Sequence, residues 1–140
     1  MDKLIKLDFK IKTIGSPNKA IIALHGWGGN SSSMKALVNL MKIGDCKWFF
    51  PEGPYPCDQR LGKSWTYKKD DGTFERNKPI ELLHKFIQDN VLSLFDPCDI
   101  YIIGFSQGAL MCYEGILTMD ISFGGVFPIC GFMALNNKQY

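Results

Sequence analysis

The sequence lacks the features of several protein classes. It has no segment near the roughly 18 apolar residues of a membrane span, and its first eight residues carry charges where a signal peptide needs an unbroken apolar stretch. Its net charge is only +2 and its longest basic run is Lys68-Lys69, unlike a protein that binds phosphate backbones. These absences predict a cytoplasmic protein with no transmembrane segment and no nucleic-acid partner.

Metal ligands are also scarce. The sequence has two histidines, and its five cysteines form no Cys-x-x-Cys pair, so no zinc set can be assembled and we expect no metal site. An odd and scattered cysteine count suits free thiols better than a disulfide framework.

The composition is that of an ordinary globular protein. Hydrophobic residues make up 46% of the chain and charged residues 21%. At a prior of roughly 100 to 150 residues per domain, 140 residues leave no room for two full domains. We therefore expect residues 1–140 to form a single domain.

Hydrophobic periodicity predicts alternating strands and helices. The strand patterns are at 4–12, 20–24, 47–50, 100–103 and 123–127, and the helical spacings are at 32–42, 79–92 and 107–117. The first strand alternates with lysines, which predicts a half-buried sheet edge. This order predicts an α/β fold with a mainly parallel sheet and helices on both faces. Residues 52–76 show no period, which is typical of a binding loop or a flexible segment.

The segment from Gly104 to Gly108, GFSQG, lies between a predicted buried strand and a predicted helix. A serine nucleophile at such a junction needs a tight, strained turn that projects its hydroxyl above the sheet. Glycines two positions to either side allow the helix to close onto the strand. The alternative is that Ser106 only caps the helix, but the strand before and the helix after it favour a nucleophile.

A second glycine-rich motif, His25-Gly26-Trp27-Gly28-Gly29, follows the buried strand at 20–24. Acyl transfer needs two preorganised donors for the tetrahedral oxyanion, one of them the backbone N–H of the residue after the nucleophile. That residue is Gln107, and the N–H of Trp27 is the candidate for the second donor. The alternative is a glycine-rich connector without a donor role.

Three ordered motifs carry a family resemblance: LHGWGGN, then FPEGPYP followed by GKSW, then GFSQGAL. In order and spacing they resemble the phospholipase/carboxylesterase family of α/β-hydrolases, which includes acyl-protein thioesterases and bacterial carboxylesterases. The resemblance covers residues from about 20 to about 131. It implies a three-layer α/β-hydrolase fold and a serine esterase or thioesterase that acts on short to medium acyl groups without a cofactor.

The same resemblance implies roles for individual residues. Ser106 would be the nucleophile, Trp27 and Gln107 would be the oxyanion donors, and His25 would support the oxyanion turn. Trp65 would line the acyl groove, with a packing tryptophan as the alternative reading.

The sequence departs from the family pattern after Ser106. In this fold the acid and then the histidine follow the serine, yet Glu114 and Asp120 are the only acids there and no histidine follows. His84 falls on the apolar side of its predicted helix, which indicates a core or boundary histidine. We therefore expect the last two strand–helix units, roughly 45 to 60 residues, to be missing, and the chain alone to be inactive.

Three interpretations stay open. The favoured one is a serine hydrolase whose sequence ends early. The second is a split enzyme, in which a complementing chain or an oligomer supplies the acid and the histidine. The third is a non-catalytic acyl-binding or interaction module on a hydrolase scaffold. The expected ligand in each case is a small acyl ester or thioester.

Overall fold

The structure is a computed structural model that describes residues 6–132. Its strands are β1 (Phe9–Ile14), β2 (Lys19–Leu24), β3 (Cys46–Pro51), β4 (Tyr55–Pro56), β5 (Lys63–Ser64), β6 (Tyr67–Lys68), β7 (Phe74–Glu75), β8 (Ile100–Phe105) and β9 (Gly125–Ile129). Its helices are α1 (Ala36–Met41), α2 (Asn77–Asn90) and α3 (Gln107–Met111), with a 3₁₀ turn at Pro97–Asp99 and a π-helical turn at Cys112–Ile116 that continues α3.

The main sheet has five strands in the order β1-β3-β2-β8-β9. β1 runs antiparallel to β3, and the other neighbours are parallel. The register places Ile22 of β2 between Phe49 of β3 and Ile102 of β8. The mainly parallel sheet is confirmed, and β2 is central because its side chains are apolar on both faces.

Helices cover both faces of this sheet. On one face, Ile22 and its neighbours pack against Leu83 of α2 and Met111 of α3. On the other face, Ile21 belongs to a second buried cluster against which Leu37 of α1 packs. Full burial of each such aliphatic side chain contributes roughly 1.5 to 3 kcal/mol. The predicted three-layer arrangement is confirmed.

The first strand is at the sheet edge as predicted, but it begins at Phe9, and residues 4–5 of the predicted strand lie outside the described residues. Its predicted buried face is wrong beyond Leu7. Ile11 is 49% exposed and Phe9 is 39% exposed, with only an edge contact between the rings of Phe9 and Phe86. The reason is that β1 lies at the margin of the layer formed by α2.

The predicted helix at 32–42 is wrong in its first turn, because α1 begins at Ala36. The Asn30 side chain accepts a hydrogen bond from the Ser32 N–H, and the Ser33 hydroxyl accepts one from the Asn30 N–H. Such local side-chain bonds hold the backbone in turns rather than in a helix. α2, α3 and β9 lie within two residues of their predicted starts.

Residues 52–76 form two short antiparallel hairpins, β4 with β5 and β6 with β7. The first hairpin is tied to the loop after β2 by an isolated bridge between Gly29 and Lys63. The segment that lacks sequence periodicity therefore has a defined position beside the carboxyl edge of the sheet.

Candidate active site

The predicted motifs meet where the parallel strands end. β2 ends immediately before His25, and the neighbouring β8 ends immediately before Ser106. A Cβ built on Gly26 would lie 3.4 Å from the Cβ of Ser106, so the two loops are in contact. Open α/β sheets bind ligands at this edge.

Ser106 has an unusual backbone conformation, with φ 54° and ψ −111°. A positive φ is rare for a residue other than glycine, and such strain, of order 1 to 3 kcal/mol, is found at functional sites. The turn is held by the Ser106 N–H, which donates to Ile129 O at 2.9 Å, and by the Ala109 N–H, which donates to Ser106 O at 2.9 Å. The Ser106 side chain makes no capping hydrogen bond to α3, so the capping alternative has no support.

Gly104 and Gly108 make this turn sterically possible. A Cβ on Gly104 would overlap the Gly108 carbonyl and lie 2.6 Å from Cys112 Sγ, and a Cβ on Gly108 would overlap the Leu24 carbonyl. The two glycines therefore allow α3 to approach both β8 and β2.

His25 is a buried structural histidine, 1% exposed. Its Nε2 accepts from the Gly53 N–H at 2.9 Å, which leaves the proton on Nδ1 to be donated to Gly26 O at 2.7 Å. Burial lowers the pKa of His25, although the Gly26 carbonyl and the Glu52 charge oppose that shift. With both ring nitrogens engaged, His25 holds the loops after β2 and β3 together.

Trp27 lies at the tip of the loop after β2. Its indole is 46% exposed and stacks under the Arg60 guanidinium, 5.3 Å from the ring centroid. The loop is held against β5, because the Gly28 N–H donates to Lys63 O at 2.9 Å and the Lys63 N–H donates to Gly29 O at 2.7 Å. Among residues 6–132, the Trp27 N–H has no protein acceptor.

The Gln107 side chain has a role that the sequence did not indicate. Its Oε1 accepts from the Trp65 N–H at 2.8 Å, and its Nε2 donates to Ser64 Oγ at 3.0 Å and to Thr66 Oγ1 at 3.1 Å. This buried amide joins the residue after Ser106 to the 64–66 segment. The Gln107 N–H belongs to the first turn of α3, where helix N–H groups have no intrahelical acceptor.

The structure does not support Trp65 as a groove residue. Its side chain is fully buried in the main core, and its Nε1–H donates to His25 O at 2.9 Å. The alternative of a packing tryptophan fits these contacts. Trp65 therefore supports the site through two hydrogen bonds: its indole N–H donates to His25 O and its backbone N–H donates to the side-chain amide of Gln107.

Two cavities flank Gln107. One, of about 390 Å³, is lined by Thr66, Phe74, Arg76, Gln107, Leu110 and Phe132. The other, of about 290 Å³, has walls from Trp27, Ser64, Tyr67 and Gln107. The two cavities share Thr66, Phe74 and Gln107 as lining residues.

Neither a metal cluster nor a membrane helix is found in the described part of the chain. No three His, Cys, Asp or Glu side chains within residues 6–132 are placed to hold a metal ion. No helix there combines the length and hydropathy needed to cross a bilayer. All five cysteines lie in this part and are free, and His84 is half-buried with Nε2 2.7 Å from Gly115 O.

Comparison with known proteins decides the family, because the profile of the phospholipase/carboxylesterase family matches residues 9–139. The chain belongs to this family. A probable carboxylesterase SOBER1-like protein of Arabidopsis thaliana is 25% identical over 135 residues, covering 84% of this chain and 51% of that protein. Acyl-protein thioesterase 1 of Kluyveromyces lactis is also 25% identical, covering 85% of this chain and 59% of its own length. The chain thus spans little more than half the length of these relatives.

Solved structures of esterases share the fold. Esterase PE8 superposes with a TM-score of 0.80 at 21% identity, covering 94% of this chain and 66% of that one. The Bacillus cereus carboxylesterase gives a TM-score of 0.76 at 16% identity, covering 95% of this chain and 64% of that one. The α/β-hydrolase fold expected from the motifs is therefore confirmed, and the chain is a member of a family of ester and thioester hydrolases.

Proposed function

We propose that this protein is a serine hydrolase of carboxylic esters or thioesters in which Ser106 is the nucleophile. The observation that carries the proposal is the strained turn at Ser106, whose side chain is not used as a helix cap. A second support is the contact between this turn and the loop that contains Trp27.

In the proposed reaction, Ser106 Oγ attacks the acyl carbon while a general base takes its proton. The oxyanion of the tetrahedral intermediate accepts hydrogen bonds from the N–H groups of Gln107 and Trp27. A donor of this kind contributes about 2.7 to 4 kcal/mol to the transition state. Collapse breaks the bond to the leaving oxygen or sulfur, which takes the proton, and water then hydrolyses the acyl-enzyme to the carboxylic acid.

The proposed general base is neither of the two histidines of the sequence. His25 has both ring nitrogens engaged, and His84 is bonded to Gly115 O. The base and its acid would then come from outside these 140 residues, in a longer form or in a complementing chain. Because loss of the triad base costs on the order of 10⁴ to 10⁶ in kcat, the 140-residue chain alone would be a very poor esterase.

The same engaged histidines favour a second candidate function, a non-catalytic module that binds acyl ligands on a hydrolase scaffold. Binding of an acyl ester without turnover, both by this chain and by forms that include further sequence, would support that candidate.

The test is covalent labelling with a fluorophosphonate ester, in a form of the protein supplied with the missing base. Ser106 should carry the label in the wild type and in the control Ser16→Ala, which changes an exposed serine. Ser106→Ala should abolish the label. A label that survives this change would remove Ser106 from the role.

Hydrolysis of p-nitrophenyl butyrate by the 140-residue chain tests the base. We expect almost no turnover. Ordinary esterase rates that disappear in Ser106→Ala would mean that His25 or His84 serves as the base. Loss of that activity in His84→Ala but not in His25→Ala would then identify which of the two it is.

A further inference from the structure

The larger cavity beside Gln107 has apolar walls, polar walls that include Thr66 and Thr73, and one charged lining residue. Phe74, Leu110 and Phe132 form apolar walls, and the cationic side chain of Arg76 lies among the lining residues. Arg76 immediately precedes α2. The cavity is thus lined both by the residue after Ser106 and by the side chain of Arg76.

Arg76 is held from behind by Glu114 in the π-helical turn. Arg76 Nη1 is 2.6 Å from Glu114 Oε1, and the two side chains are only 18% and 19% exposed. Glu114 does not line the cavity. A guanidinium has five N–H donors, and Glu114 is the acceptor recorded for Arg76 among residues 6–132, so donors remain for a ligand.

Stability does not explain a charged pair at this position. Burial raises the pKa of the Glu114 carboxyl, and Arg76 only opposes that rise. A largely buried ion pair is commonly no more stabilising than apolar residues of the same volume. A cation kept on the wall of a cavity is therefore better explained by what the cavity binds.

Gln107 and Arg76 line the same cavity of about 390 Å³. Because Gln107 directly follows Ser106 in the chain, an acyl group that extends from Ser106 into the cavity has Arg76 among its walls. A cavity of this volume accommodates a ligand of the size of a short acyl chain.

We propose that this cavity receives the acyl group and that Arg76 selects acyl chains ending in a carboxylate, as in half esters or half thioesters of dicarboxylic acids. The inference rests on the proposed function, because it assumes that the acyl carbon lies at Ser106. Arg76 binds the distal carboxylate with its cavity-facing N–H groups, and the apolar walls contact the methylene groups. A simple fatty acyl chain leaves those donors without a partner, which a polar site penalises.

The test is ligand binding to a Ser106→Ala protein, which cannot turn the ester over through Ser106. Monomethyl adipate and methyl hexanoate have acyl chains of equal length and differ in the terminal carboxylate. NMR titrations follow the backbone amides of Thr66 and Gln107. Because a hydrogen bond to a charged group contributes substantially, monomethyl adipate should bind about 10- to 100-fold more tightly than methyl hexanoate.

Variants of the ion pair should act in opposite directions. Arg76→Gln should bring the affinity ratio of the two ligands close to 1. Glu114→Gln keeps an acceptor for Arg76 but removes a competing negative charge, so the ratio should rise about threefold. The control Lys78→Gln removes a partly exposed cation near the start of α2, which is paired with Glu81 and does not line the cavity, and should leave the ratio unchanged. If Arg76→Gln does not fold, Arg76→Gln combined with Glu114→Gln removes both charges and should also give a ratio near 1.

The proposal is overturned if the two esters bind equally, if neither binds, or if Lys78→Gln lowers the ratio as much as Arg76→Gln. It is also overturned if inorganic phosphate binds as tightly as monomethyl adipate, since the cavity would then be a general anion site. Selective binding with no fluorophosphonate labelling of Ser106 in a form supplied with the base would refute the proposed function and leave the carboxylate site standing. Labelling of Ser106 together with equal binding of the two esters would refute the carboxylate site and leave the proposed function standing.

Discussion

Replacement of Gln107 by alanine tests how the site is held together. The change removes the acceptor of the Trp65 N–H and the donors to Ser64 Oγ and Thr66 Oγ1. A buried N–H left without a partner costs about 1 to 3 kcal/mol, and each lost neutral hydrogen bond costs about 0.5 to 1.5 kcal/mol. The Ser64 hydroxyl keeps its hydrogen bond to Thr66 O, so we expect the free energy of unfolding to fall by about 2 to 4 kcal/mol.

Urea unfolding followed by tryptophan fluorescence measures this loss. With a slope of about 1 to 3 kcal/mol per molar for a small protein, the urea midpoint should fall by about 0.7 to 4 M. Gln59→Ala is the matched control because Gln59 is exposed, and exposed substitutions usually change stability by less than about 0.5 kcal/mol. Gln107→Glu keeps an acceptor for the Trp65 N–H and should fall between the wild type and the alanine variant.

An unchanged midpoint in Gln107→Ala would refute this reasoning. It would mean that the backbone pairing of its hairpin and the burial of Trp65 hold the 64–66 segment, and that the side-chain amide of Gln107 contributes nothing to the free energy of unfolding. A loss of equal size in Gln59→Ala would show instead that the assay reports a general sensitivity of the chain.

Three further changes test the packing and the charge of the site. Gly108→Ala should lower the melting temperature sharply, because its Cβ would overlap a β2 carbonyl, whereas Gly44→Ala, with open space around it, should not. Gly62→Ala and Gly72→Ala both place a Cβ at a positive φ, but only the Cβ at Gly62 would overlap the backbone of the Trp27 loop. Both variants should therefore lose stability, and only Gly62→Ala should in addition slow fluorophosphonate labelling of a form supplied with the base. The pKa of His25 is lowered on folding, so as pH falls the imidazole of the unfolded state takes up its proton before that of the folded state. The free energy of unfolding, measured in urea, should therefore decrease as pH falls below about 6.5 and through the folded pKa. A constant free energy between pH 7 and pH 5 would contradict the assignment of a neutral, buried imidazole.

The parts of the fold that the sequence predicted are those governed by local pattern. Four apolar side chains in a row, from Ile21 to Leu24, predict a strand buried on both faces wherever the rest of the chain lies. The turn at Ser106 is similarly local, since the strand, the serine and the flanking glycines are contiguous. The first turn of α1 was missed because Asn30 and Ser33 bond to nearby backbone, which apolar spacing does not reveal.

The supporting contacts of the site could not be predicted because they join distant parts of the chain. Gln107 meets the Trp65 N–H across 42 residues, and Arg76 meets Glu114 across 38. A single sequence gives the residue types but not which pairs come together. Trp65 illustrates this: its motif and aromatic character fit a ligand wall and a core residue equally well, and only its burial distinguishes them.

The central position of β2 also has a consequence for the order of folding. Its pairing with β3 joins residues about 27 apart, as in Lys19 with Cys46, whereas its pairing with β8 joins residues about 80 apart, as in Ala20 with Ile100. Closing the longer loop costs roughly 1 kcal/mol more entropy, and non-local pairing slows folding. β2 and β3 should therefore pair first, and the Ser106 turn should meet the His25 loop in a later step. During synthesis, β2 and β3 emerge before Ser106, so the Ser106 turn and the His25 loop come together only after β8 has joined the sheet.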